Sequence, residues 1–155
     1  MADKKYTYLK IFFDGGSRGN PGPSAVGAVI YDENGKKIDE LSEYIGKTTN
    51  NIAEYTALDM VLDLAGKYSS EKIVLLTDSK LIYNQVRKIW KIKDENILKI
   101  FLSVSKKLTK YKTVDMRFIP REENREADKL VNKALEKTQF SYEGESDIRF
   151  GSIEE

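Results

Sequence analysis

Residues 72–77 (KIVLLT) form a continuous apolar run with no polar alternation. A strand of this kind has to be covered on both faces, so it belongs at the centre of a sheet that carries packed helices. It delivers Asp78 at its C-terminal end. Just upstream, Ile52, Tyr55, Leu58, Val61, Leu62 and Ala65 recur at helical spacing, which predicts an amphipathic helix from about Thr48 to Ala65. At about 100° per residue, Glu54 projects into the same apolar arc. A carboxylate there loses hydration and needs a cation or a proton, unless it sits at the edge of the stripe and reaches water.

The remaining elements follow from alternation and turn chemistry. Tyr6 to Asp14 (YTYLKIFFD) predicts a strand ending at Asp14, followed by a turn cluster from Gly15 to Pro23. That glycine-rich segment has neither the Walker nor the dinucleotide spacing, so it is read as a tight turn whose backbone approaches a ligand. Ser24 to Tyr31 is a second strand, and Asn34-Gly35 turns it into a third near Lys37 to Ile45, giving an antiparallel meander. A helix is expected over Ser79 to Val86 and another from about Asp94 to Lys110. Thr113 to Ile119 alternates as a strand and is stopped by Pro120. A last helix, about Asn124 to Lys137, buries Ala127, Leu130, Val131 and Ala134, with Asp128 at the flank of that stripe. The expected architecture is α/β: a five-stranded mixed sheet, three antiparallel strands then two parallel, flanked by helices. One domain spans 1–139, and 140–155 is a C-terminal tail without a clear period.

Composition narrows the chemistry. The chain has no His and no Cys, which removes imidazole bases, thiolates and His- or Cys-ligated zinc. Any reaction must therefore use carboxylates, Lys, Arg, Tyr or a metal on oxygen ligands. No apolar run approaches membrane-spanning length and no signal-peptide pattern opens the chain, so a cytoplasmic monomer is expected. The net charge of +1 conceals an asymmetry: ten basic residues against two acidic ones between Lys80 and Lys112. Such a segment is the footprint of a polyanion binder, or a solvated helix face.

Asp14, Glu54, Asp78 and Asp128 each fall at a strand end or helix face directed toward one edge of the sheet. In mixed sheets, ligands gather outside the C-terminal ends of parallel strands. Four carboxylates brought together repel one another unless cations neutralise them, so the cluster reads as a metal site. Oxygen ligands alone suit Mg²⁺ or Mn²⁺. Two such ions about 3.5–4 Å apart can activate water and stabilise the leaving oxygen of a phosphodiester.

Asp14-Gly15-Gly16-Ser17 with Gly19-Asn20-Pro21-Gly22, Thr48-Thr49-Asn50-Asn51 with Glu54, Thr77-Asp78-Ser79, and Arg121-Glu122-Glu123-Asn124 with Ala127-Asp128 together resemble type 1 ribonuclease H. The resemblance runs from about Tyr6 to Leu135. It implies that Asp14, Glu54, Asp78 and Asp128 ligate two Mg²⁺ or Mn²⁺ ions, with Asp14 bridging them. It also implies hydrolysis of the RNA strand of RNA–DNA hybrids, leaving 5′-phosphate and 3′-hydroxyl ends. By the same resemblance, Asn20, Asn50 and Asn51 contact the minor groove and its 2′-hydroxyls, and Thr49 helps to hold a DNA-strand phosphate. Amide side chains both donate and accept, as reading a 2′-hydroxyl requires. The Asn pair and Thr48 are equally placed to cap the helix.

The sequence departs from the family pattern twice. The loop histidine that many bacterial members carry before the last aspartate is absent, and Arg121 stands in that short loop. A guanidinium cannot act as a base near neutrality but can bind a phosphate. The long basic protrusion of some relatives is reduced to the stretch around Ile89 to Asp94. There Lys88, Trp90, Lys91 and Lys93 either stack on and hold the DNA strand or leave Trp90 packed in the core. Two other functions share the fold: cleavage of double-stranded RNA, and hybrid binding without catalysis.

Overall fold

The structure, a computed structural model, describes residues 6–69 and 71–149, with side chains through residue 138. The described residues form five strands and four α-helices. They are β1 (Tyr8–Ser17), β2 (Gly22–Tyr31), β3 (Lys37–Thr48), α1 (Asn50–Gly66), β4 (Lys72–Thr77), α2 (Lys80–Val86), α3 (Glu95–Leu108), β5 (Thr113–Phe118) and α4 (Arg125–Arg149). A single 3-10 turn, Arg121–Glu123, precedes α4. The sheet order is β3-β2-β1-β4-β5. β1, β2 and β3 pair antiparallel, and β4 runs parallel to both β1 and β5. This is the expected mixed sheet. Among the described residues, no helix is long and apolar enough to cross a membrane.

Strand alternation sorts the side chains onto two faces. Leu9, Ile11, Phe13, Val26, Ala28, Ile30, Ile73 and Leu75 face α1 and α3 in the main core. On the opposite face, Ala25 packs with Val131, Ala134 and Leu135 of α4. Helix α4 packs against β1, β2 and β3. Over β4, the residues Val74, Leu76 and Ile119 are instead roofed by Tyr8 and Phe12. Lys72 and Lys10 lie over those two rings, at 5.8 and 5.5 Å from the centroids. The apolar run expected at the centre of the sheet is thus β4, one position away from the central β1, and it is buried by helices on one face and largely by packed aromatic rings on the other.

Two expectations need correction. The segment from Gly15 to Pro23 is mostly strand, not turn. β1 continues three residues past Asp14, and Gly15, Gly16 and Ser17 pair with Val26, Ala25 and Ser24. Gly15 is needed for packing: a Cβ there would lie 2.2 Å from the Ala53 carbonyl carbon of α1. The turn itself is confined to Arg18–Pro21 and contains a cis Asn20–Pro21 bond. Helix α4 also runs well beyond the end expected near Lys137, into the stretch read as a tail. No proline interrupts it, and extending a helix already anchored by packing costs little per residue. Residues 150–155 of the expected tail lie outside the described residues.

Candidate active site

Two glycines set how closely the helices can approach the sheet, and so where two of the acids stand. Gly15 lets α1 close onto β1 at Ala53–Glu54. Gly27, the cross-strand partner of Asp14, lies under α4, where a Cβ would come within 2.3 Å of the Ala127 carbonyl oxygen. Each contact falls next to an acid: Glu54 beside Gly15, and Asp128 over the strand pair that holds Asp14. A glycine inside an apolar strand marks close backbone approach. Gly27 in SAVGAVIY carried that signal, and the sequence reading passed over it.

The acids converge at one edge of the sheet. Asp14 projects from β1, Asp78 follows the end of the parallel neighbour β4, and Glu54 comes from the first turns of α1. Carboxylate oxygens of Asp14, Glu54 and Asp78 all lie within 4.8 Å of one another. Asp128, from the first turn of α4, stands outside that trio but next to Asp14, close enough to hydrogen-bond and repel it. A cleft of about 200 Å³ contains all four, with Asn50 and Arg121 on its wall.

Burial and mutual repulsion dominate the electrostatics. Asp14 is 8% exposed and Glu54 7%. Burial, followed by Asp78 and Asp128, pushes the Asp14 carboxyl from 3.8 up to about 8. Burial, followed by Asp14 and Asp78, raises Glu54 well above the usual carboxylate range, although Gly15 N–H donates to Glu54 Oε1 at 3.4 Å. Asp78 is also raised by burial, against the pull of Asn124 and the Arg121 guanidinium. An all-oxygen donor set whose members resist carrying charge together is what a hard divalent cation relieves.

Asn124 received no role in the sequence reading. It is 1% exposed and precedes α4. Its Nδ2 donates to the Phe13 carbonyl at 2.9 Å and to Asp78 Oδ2 at 3.4 Å, and its carbonyl accepts from Asp128 N–H at 3.1 Å. Its side-chain amide thus ties the strand bearing Asp14 to the Asp78 carboxylate, while its backbone carbonyl takes the i+4 bond that opens the helix bearing Asp128. Its Oδ1 is buried with no hydrogen-bond partner. In sequence Asn124 stands only at the start of the last helix, and nothing local signals the contacts its amide makes with β1 and Asp78.

The other expected site residues divide into two groups. Asn50 and Arg121 line the cleft. Asn20 lies exposed in the β1–β2 turn, its Oδ1 accepting from Asn50 N–H at 2.9 Å. Thr49, rather than Thr48 or Asn50, caps α1: its Oγ1 accepts from Ile52 N–H at 3.2 Å. Asn51 is exposed on the first turn of α1. Lys88, Trp90 and Lys91 are exposed beyond the end of α2, away from the cleft lining. Trp90, at 47% exposure, is not a core residue. The basic run does not form one face, since Lys107 is held by Asp59 and Asp63, and Lys112 by Glu71.

Comparison with known proteins agrees with this geometry. The family model described as reverse transcriptase-like matches residues 12–134. The bifunctional protein Rv2228c of Mycobacterium tuberculosis is 36% identical over 135 residues, covering 86% of this chain and 37% of the relative. Ribonuclease HI of Halobacterium salinarum is 38% identical over 125 residues, covering 81% of this chain and 63% of the relative. The chain therefore spans less than two thirds of the length of these curated relatives. The crystal structure of the Halobacterium RNase H1 superimposes with a TM-score of 0.82 at 36% identity, covering 84% of this chain and 98% of that one. LC11-RNase H1, from a compost metagenome and solved in complex with an RNA/DNA hybrid, gives a TM-score of 0.76 at 37% identity, covering 84% and 99%. The match over most of the chain, the shared strand order and the acid cluster make one conclusion: this chain belongs to the ribonuclease H family.

Proposed function

We propose that the protein is a ribonuclease H, an endonuclease that hydrolyses the RNA strand of RNA–DNA hybrids using Mg²⁺ or Mn²⁺ and leaves 5′-phosphate and 3′-hydroxyl ends. The observation that carries this reading is the convergence of Asp14, Glu54 and Asp78 within 4.8 Å, in a family where a relative has been solved on an RNA/DNA hybrid. The residues fit divalent cations, because they are buried acids with raised proton affinity and oxygen donors only. Two ions bound there supply Lewis-acid activation of water and stabilisation of the leaving oxygen.

The protein's own groups prepare that chemistry. Asp14, Glu54, Asp78 and Asp128 would hold the ions, Asp14 being in reach of the other three. Gly15 N–H fixes the Glu54 carboxylate and Asn124 fixes that of Asp78. Arg121 offers a guanidinium to a phosphate at the cleft wall. With no imidazole in the chain, no side chain has an unperturbed pKa between pH 5 and 8.

Substrate contacts follow from the donors left free. The Asn20 Oδ1 is occupied by Asn50, so its amide N–H groups are the atoms offered to a 2′-hydroxyl, alongside the exposed Asn50 and Asn51 amides. Thr49 Oγ1 accepts within its cap, which leaves the hydroxyl proton for a DNA-strand phosphate. Trp90, flanked by Lys88 and Lys91, forms a second contact with the DNA strand.

The test presents labelled hybrid, RNA duplex and DNA duplex, each with Mg²⁺, Mn²⁺ or EDTA. Metal-dependent cleavage of the hybrid's RNA strand is expected. Equal cleavage of duplex RNA would broaden the substrate. Binding of hybrid without cleavage under any metal would overturn the assignment in favour of a binding module.

A further inference from the structure

One cluster of exposed and half-buried side chains has no role in the site described above. Tyr83 on α2 packs against Phe118 at the end of β5, with ring centroids 5.9 Å apart and planes at 53°. The Arg87 guanidinium lies 4.9 Å from the Tyr83 centroid and donates to its hydroxyl at 2.9 Å. Phe118 is 41% exposed. Lys80, Tyr83 and Arg87 are spaced i, i+3, i+7, so they share one stripe of α2. That stripe extends over about 10 Å. It alternates cation, ring, cation, and the second ring lies beside it.

The cluster also begins beside the acid cluster. Phe118 pairs with Thr77 in the β4–β5 ladder, and Thr77 immediately precedes Asp78. Three residues after Phe118 comes Arg121, on the cleft wall. The nearest carboxylate on β5, Asp115, is neutralised by Arg117 at 2.9 Å. A strand leaving the cleft past Arg121 therefore meets the exposed Phe118 ring, with the half-buried Tyr83 ring and the Arg87 guanidinium beside it.

We propose that Tyr83, Phe118 and Arg87 form a stacking platform for an unpaired stretch of the RNA strand next to the hybrid. This rests on the ribonuclease H reading, which places the RNA strand at the acid cluster. Paired bases are already stacked within a duplex. Exposed rings beside guanidinium groups are suited to bases that are not. The enzyme would then favour hybrids that end in single-stranded RNA over fully paired ones.

The test measures binding of the full chain by fluorescence anisotropy in EDTA. The ligands are a blunt hybrid, hybrids with a short RNA extension at one end or the other, and the same extensions made abasic. One extension should tighten binding about tenfold, and the abasic version should lose most of that gain. Phe118→Ala should remove the gain without changing affinity for the blunt hybrid, and Phe118→Tyr should restore it. No gain at either end, a gain that survives Phe118→Ala, or an abasic extension that binds equally well would each overturn the platform. Cleavage of the blunt hybrid with Mg²⁺, followed in parallel, keeps the two readings apart. Its absence would sink the nuclease assignment, whereas Phe118-dependent binding of short single-stranded RNA would still decide the platform.

Discussion

Asp14→Asn keeps the shape of the side chain and removes one charge from the cluster, so its effect on metal-free stability depends on pH. Asp14 is pushed from 3.8 to about 8 by burial, then by Asp78 and Asp128. A carboxyl whose folded pKa lies above its unfolded value binds its proton more tightly in the native state. The stability it lends is complete below about pH 4 and is lost as pH rises toward 8. Glu54 and Asp78 are raised in the same direction. The full rise for Asp14 corresponds to about 6 kcal/mol. Relaxation of the cleft and entry of water reduce this, and about 2 kcal/mol is expected to remain. In a chain of this size that is a melting shift of about 4–8 °C. In EDTA, the wild type should lose melting temperature between pH 5 and 8.5, while Asp14→Asn loses less. The variant should be the more stable protein at pH 8.5 by that margin, and the two should converge near pH 4. Mg²⁺ at pH 8.5 should raise the wild type more than the variant, since it binds only the native site. Parallel melting curves across pH, or a variant less stable than wild type at pH 8.5 in EDTA, would refute the account of charge repulsion at the site.

Gly15→Ala should destabilise the fold by about 2–3 kcal/mol and abolish cleavage, because the new Cβ displaces α1 and with it Glu54; urea unfolding and a hybrid-cleavage assay check both, and near-wild-type stability would contradict the packing argument. Asn124→Ala should lower single-turnover cleavage about 10- to 100-fold while leaving hybrid affinity nearly unchanged, and an unaltered rate would remove its positioning role. Lys88, at φ 65°, occupies the left-handed position at the end of α2, where Ile89 N–H donates to the Asn84 carbonyl at 2.7 Å. Lys88→Gly should therefore raise stability by about 0.5–1 kcal/mol, yet reduce the salt slope of hybrid binding by about one; a lower melting temperature, or an unchanged slope, would show that the strained backbone is not kept for its charge.

Much of this protein could be read from the chain alone, where the deciding physics is local. The apolar run of β4, the meander closed at Asn34-Gly35 and the stripe of α1 follow from periodicity and turn chemistry. Those elements already put Asp14, Glu54 and Asp78 at one edge of the sheet. The absence of His and Cys limits a metal at the site to oxygen ligands. The contacts between distant segments could not be read in this way. Gly15 and Gly27 look like turn or strand residues in sequence, yet they determine how near α1 and α4 approach the sheet. Asn124 reads only as the start of the last helix, although its side chain joins the strand bearing Asp14 to Asp78. Trp90 has the composition of a core residue and lies exposed. Hydrophobic periodicity reports which face of an element is buried, whereas the spacing between elements depends on atoms from residues far apart in the chain. Only the packed tertiary structure brings those atoms together, and that packing decided the geometry of the acid cluster.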